Sequence, residues 1–239
     1  AVAQLVFITR RVDAGIPRGP RRTRLAQWFA ISLPIFLVES FFFLLTNADV
    51  LMVGFYLDPA DVAVYFATVK TLALVHFVYF AVKAGVAQRY AQFTHGAPER
   101  LAAFARETVS WTFWPSLAMA FAVLALGKPM LALFGPGFDA GYPLLFALVP
   151  GVVARAAVGP CESLLTMTGN QNVCAGVYAA TLALNIGLSL ALIPHFHLWG
   201  AALSTSFAMA FEAAALAFVV WRRLGIVMAV FVTDARRSA

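Results

Sequence analysis

Nine polar side chains in this sequence stand where their neighbours are apolar. Glu39, Asp49, Lys70, His76, Lys83, Arg155, Glu162, Asn185 and Glu212 each lie inside a long hydrophobic run. A charge at the centre of a hydrocarbon layer costs at least about 2.5–3.5 kcal/mol, so each needs a partner or a task. Acids in such places take up and release a cation, which makes Glu39, Asp49, Glu162 and Glu212 candidates for coupling to a proton or sodium ion. Arginine offers a planar fork that matches phosphate, so Arg155 is the leading candidate for an anionic ligand. Lys70 and Lys83 would assist it, with His76 and Asn185 as hydrogen-bonding partners.

Spacing ties these residues together. At about 100° per residue, helix positions seven apart nearly superpose. Glu39 then shares a face with Thr46, His76 with Lys83, Arg155 with Glu162, Tyr178 with Asn185, and Thr205 with Glu212. Five helices would each carry one polar stripe, and converging stripes make a polar cavity inside a bundle. Counted from the helix ends, Glu39, His76, Arg155, Asn185 and Glu212 fall near mid-depth. Asp49 and Lys70 fall toward one surface, Lys83 and Glu162 toward the other. Simpler roles remain open. Lys83 can snorkel to an interface, Asp49 and Lys70 can form a structural ion pair, and His76 can be a hydrogen-bonded core residue. Asn185 and Ser204–Ser206 can be interhelical glue.

The elements that position these residues follow from composition. Of 239 residues, 62% are hydrophobic and only 12% charged. Soluble domains are about 45–50% apolar and about 25% charged, so this chain is an all-α integral membrane protein. Disorder and a disulfide scaffold are excluded, the latter because there are two cysteines. Six spans are expected, near 28–55, 62–88, 108–126, 142–167, 173–193 and 200–220. The spacing of charges makes the third the most lipid-facing. The stretch 89–107 reads as a short amphipathic helix on the membrane surface, and 127–143 as an interfacial bend. Pro34, Pro143, Pro150 and Pro160 predict bent helices. In domain terms, 1–27 is the end of a preceding helix and a basic linker, 28–226 a six-helix bundle, and 227–239 a tail. Residues 1–9 read like the last turns of a helix, so the chain is expected to be a fragment or one half of a longer one.

Charge sets the orientation. With the N-terminal arginines inside, the inner segments hold 13 Arg and Lys and the outer loops one, Lys128. That bias places both ends in the cytoplasm. Arginine crowding without a basic, aromatic surface argues against nucleic acid. No zinc-protease, P-loop or nucleophile-elbow motif appears, so no cofactor is implied and enzyme chemistry is not expected. His195 and His197 read as a polar turn.

Several stretches carry a resemblance. TNADVLMVGFYLDPADVAVYFAT (46–68), LFGPGFDAGYPLL (133–145), LLTMTGNQN (164–172), LIPHFHLWGAALS (192–204) and Arg222-Arg223-Leu224-Gly225 occur in an order and spacing that resembles the polysaccharide-transporter branch of the multidrug/oligosaccharidyl-lipid/polysaccharide (MOP) flippase superfamily. Ala87-Gln88 departs from it, where many relatives have a proline. The resemblance implies two six-helix bundles around a central cavity, with this chain as the second. It implies an undecaprenyl-diphosphate-linked glycan as cargo in a bacterial inner membrane, membrane lipids around the bundle, and a missing N-terminal bundle from the same chain or a second protomer. A polysaccharide polymerase would be a further partner. Cation-coupled drug efflux, a polyprenyl-linked glycosyltransferase and an inactive half are the alternatives.

Overall fold

The structure is a computed structural model in which residues 24–94 and 98–230 are described. The expected preceding helix and most of the basic linker, and the tail from residue 231, lie outside the described residues. So do residues 95–97 of the expected surface helix. Helix α1 spans Leu25–Tyr56, α2 Pro59–Thr94 and α3 Pro98–Ala132. A 3-10 turn at Phe138–Gly141 leads to α4, Tyr142–Ala156, then α5, Cys161–Met167, and α6, Gln171–Leu224. Among the described residues there is no strand, and five helical stretches are long and apolar enough to cross a membrane.

Local chemistry sets the helix ends. Pro59 and Pro98 open α2 and α3 with an acid in the first turn, Asp61 and Glu99. Proline has no N–H to leave unpaired there, and the acid complements the helix dipole. Helix α6 stops at Gly225, whose left-handed φ of 67° suits a residue without a Cβ, with Arg222 and Arg223 in the last turn.

Two compact units divide the chain, one ending at Leu33 and one beginning at Pro34. In the first, the Trp28 N–H donates to the Arg24 carbonyl at 3.0 Å and Trp28 and Phe29 are exposed. In the second, α2 packs most extensively on α3, and α4 on α6. Its perimeter is Phe43, Phe55, Phe77, Phe121 and similar side chains, all exposed, while Asp49, Arg155, Glu162 and Glu212 are buried. Water would penalise that arrangement and hydrocarbon favours it.

Three features depart from the expectations. First, no separate surface helix exists between the second and third spans. Arg89 lies within α2, and Arg100 to Glu107 lie within α3. Leu101, Phe104 and Ala105, expected on a membrane surface, are buried core residues. Second, α3 does not simply face lipid. It buries Thr108, Thr112 and Ser116, uncharged groups that a count of charges overlooks. Third, the fourth span is not one helix. It breaks between Ala156 and Cys161, where Gly159 adopts φ 65° and Pro160 has no N–H to continue the ladder.

The stretch α6, Gln171–Leu224, is two helices joined at a kink, with His197 at φ 49° and ψ −130° inside the expected turn at 194–200. The chain folds back there. Ser189 and Ser204 would stand about 22 Å apart along a straight helix at 1.5 Å per residue. Their hydroxyls instead meet at 3.0 Å. The two arms of α6 are therefore antiparallel.

Glycine lets α4 approach this hairpin. A Cβ on Gly151 would sit 2.7 Å from the Ser206 Cα and 2.8 Å from its carbonyl oxygen. Gly151→Val should cost about 1–3 kcal/mol as an overpacked contact. Loss of unfolding midpoint in mild detergent measures it, whereas the same change at Gly176, where no atom lies within 4 Å, should be nearly silent.

Candidate functional site

The bundle has two apolar clusters with a polar interval between them; α1, α2, α3 and α6 contribute to both, α4 to one and α5 to the other. One cluster contains Leu45, Val86, Tyr90, Val109, Cys161 and Leu216, the other Val53, Val75, Ala120, Val152, Ile193 and Met209. Between them along the chain fall Asp49 of α1, His76 and Lys83 of α2, and Thr112 and Ser116 of α3. Arg155 of α4, and Asn185 and Glu212 on the two arms of α6, complete the set. The polar residues thus form a layer across the bundle, bounded on both sides by apolar packing.

Arg155 is the centre of this layer. Its Nη2 lies 3.2 Å from Glu212 Oε1 and 3.6 Å from Glu162 Oε2, and donates to the Tyr178 hydroxyl at 3.3 Å. The guanidinium sits over the rings of Phe42 and Tyr79 at 4.8 and 4.7 Å from their centroids. Ring faces attract a cation most when water is excluded. Tyr178 donates to Glu162 Oε2, holding that carboxylate beside the arginine. Lys83 reaches Glu162 Oε1 at 2.5 Å and Glu39 Oε1 at 3.3 Å. The result is an alternating chain, Glu39, Lys83, Glu162, Arg155, Glu212. Glu39 is 58% exposed at one end and Glu212 wholly buried at the other.

The break in the fourth span makes this possible. Seven residues of unbroken helix would separate Arg155 and Glu162 by about 10.5 Å of rise. The interruption at Ala157–Pro160 brings their charges to 3.6 Å. Lys83 is paired in the structure, so it does not merely snorkel. Tyr178 and Tyr79 belong to the site although only Tyr178 was visible in the sequence pattern. Tyr79 lies between His76 and Lys83 and carries no charge to draw notice.

Asp49, Lys70 and His76 form a separate group. They line a cavity of about 200 Å³ with Thr46, Asn47 and Thr205, walled by Phe42, Phe80 and Met209. Asp49 accepts from the Tyr65 hydroxyl at 3.0 Å, the Thr205 hydroxyl at 3.3 Å and the Val50 N–H at 2.8 Å. Asp49 and Lys70 form no ion pair among the described residues. Lys70 is exposed and stacks over Phe66 at 4.9 Å. His76 Nε2 and both amide atoms of Asn185 are buried without a hydrogen-bond partner among the described residues, as are Arg155 Nε and Glu212 Oε2. A second opening of about 390 Å³ lies between α1, α2 and α5, lined by Glu39, Lys83, Glu162 and Thr166 among apolar side chains.

A bundle of long apolar helices around buried, paired charges defines a multi-pass membrane protein. The MatE family model matches residues 34–191, about two thirds of the chain, and the chain belongs to that family. It is thereby a member of the MOP superfamily of membrane transporters rather than of an enzyme family. No curated protein and no solved structure matches it.

The pairing makes a stability prediction. Arg155→Leu leaves Glu162 and Glu212 buried with Lys83 alone to balance them and should cost about 3–5 kcal/mol. Arg155→Leu with Glu212→Leu leaves the neutral Lys83–Glu162 pair and should be clearly more stable than the single variant. Unfolding midpoints of the two variants and each single change test the coupling. Losses that simply add would contradict it.

Proposed function

We propose that this chain moves a polyprenyl-diphosphate-linked oligosaccharide across a bacterial inner membrane for surface polysaccharide synthesis, such as lipopolysaccharide O-antigen. One observation carries the reading. A guanidinium lies buried in the bundle between two carboxylates, its remaining Nε unpartnered, in a layer flanked by a cavity on one side and an opening on the other. Sugar hydroxyls cost several kcal/mol each to strip of water without replacement, roughly 4–8 kcal/mol into pure hydrocarbon. A polar layer supplies replacement partners while the lipid tail stays in the bilayer.

The residue roles follow from charge. Arg155 meets the diphosphate, and Lys83 and Lys70 assist from the two sides, with His76 and Asn185 bonding the head group. Glu212 and Glu162 hold Arg155 while no phosphate is present. Cation uptake by these acids, or by Glu39 and Asp49, weakens that hold and frees the guanidinium. The two arms of α6 count as separate crossings, which gives six, with both ends cytoplasmic. Trp199 and Trp221 flank the second arm, about 33 Å apart at 1.5 Å per residue, close to the hydrocarbon thickness of about 30 Å. A companion six-helix bundle, in the same chain or a second protomer, completes the cavity, and a polysaccharide polymerase receives the product.

A second reading is cation-coupled efflux of amphipathic drugs. The observation favouring it is a buried carboxylate, Asp49, beside the rings of Phe42 and Phe80 in the same cavity, a setting that suits an organic cation. The two separate in vesicles containing the protein purified from its own membranes with whatever accompanies it. Fluorescent undecaprenyl-diphosphate glycan should cross, and Arg155→Lys should slow it at least tenfold by removing the planar fork. Ethidium should not accumulate. Ethidium transport lost in Asp49→Asn, with no glycan movement, would select the second reading.

A further inference from the structure

Helix α6 does not end in a free tail. At Gly225 the chain turns back, and Ile226 and Met228 become 5% and 1% exposed within the apolar cluster of Cys161, Leu164, Leu165 and Val220. The Val230 N–H donates to the Ala157 carbonyl at 3.1 Å. That carbonyl belongs to the break between α4 and α5, where the helix ladder is interrupted. Met228 Sδ lies 3.7 Å from Cys161 Sγ. The next residue is Glu162, which binds Tyr178, Lys83 and Arg155. The segment therefore packs on Cys161, one residue away from Glu162, the middle member of the charge chain.

We propose that residues 225–230 are a detachable plug that closes the broken fourth span and opens to admit water to Cys161 and its neighbour Glu162, the middle member of the charge chain. The attachment is suited to release. Among the described residues, one backbone hydrogen bond ties 226–230 to the bundle. Gly225, left-handed with no atom within 4 Å of a built Cβ, is free to act as the pivot. Met228 is an unbranched side chain that fits an irregular gap and leaves it without backbone strain. An interrupted helix also leaves carbonyls that need a donor, so the plug returns to a defined seat. The inference does not depend on which cargo the protein carries.

Cys161 is the reporter, because it is wholly buried under Met228. In the protein in its native membranes, with Cys174→Ala to remove the other cysteine of this sequence, a membrane-permeant maleimide should label Cys161 slowly but measurably. Label at Cys161 is read by peptide mass. Val230→Pro removes the N–H donor and restrains the backbone at 229–230, and should speed labelling at least threefold. Ala157→Cys with Val230→Cys places two thiols on backbones joined by the 3.1 Å hydrogen bond, as a candidate disulfide pair whose oxidation is confirmed by mass before labelling. Oxidising that pair should slow labelling at Cys161 at least tenfold, and reduction should restore it. Equal labelling in the oxidised and reduced pair would overturn the proposal. So would a wild-type Cys161 that never labels while unfolded protein labels fully. Both would make the segment a fixed cover.

Discussion

The rest of the structure depends on the cost of holding charge away from water. Burying one unpaired ion costs several kcal/mol even after relaxation, and more than one would exceed the stability of a typical domain, about 5–15 kcal/mol. The chain answers with alternation. Glu212, Arg155, Glu162 and Lys83 carry two negative and two positive charges in sequence, with Glu39 at the exposed end. Aromatic faces of Phe42 and Tyr79 enclose the arginine, and Tyr178 fixes Glu162. Remove any inner member and the layer is no longer neutral.

That constraint accounts for features that otherwise look like defects. The break at Gly159 and Pro160 in the fourth span shortens the backbone separation of Arg155 and Glu162, whose charges lie 3.6 Å apart. Glycine at 151 lets α4 lie against the second arm of α6, which carries Glu212. The hairpin at His197 turns the second arm back along the first, so that Ser189 meets Ser204 and Asn185 and Glu212 enter the same polar interval. A non-glycine residue at positive φ is uncommon and costs roughly 1–3 kcal/mol. Here it is the point of reversal.

Much of this was legible in the residues alone. Apolar runs marked the long helices, five of them long and apolar enough to span among the described residues, and polar residues seven apart marked side chains such as Arg155 and Glu162 that are buried together. Arg155, Glu162, Glu212 and Lys83 stood out because charge in an apolar run is expensive. What spacing could not give was partnership. Helix periodicity describes one helix at a time, so it paired Asp49 with Lys70 by depth, whereas Asp49 is bonded to Tyr65 and Thr205. Hydroxyls and rings such as Thr112, Ser116 and Tyr79 escaped notice because they carry no charge. The length of α2 and α3 was missed for another reason. The polar residues at 89–107 suggest a surface segment, whereas α2 extends to Thr94, α3 begins at Pro98, and Leu101 and Phe104 are buried in the core.

The central claim is that the paired charges lie at the middle of the bilayer. Nitroxide depth on the second arm of α6 tests it most directly. Phe211 is exposed beside buried Glu212, and Trp199 and Trp221 are exposed nearer the two ends of that arm. Labels replacing these three residues, one at a time, report depth by relaxation with oxygen against a water-soluble nickel complex. The account predicts the greatest depth at Phe211 and shallow, similar values at Trp199 and Trp221. A Phe211 label as open to nickel as the two tryptophan positions would place the charge layer in water and contradict it.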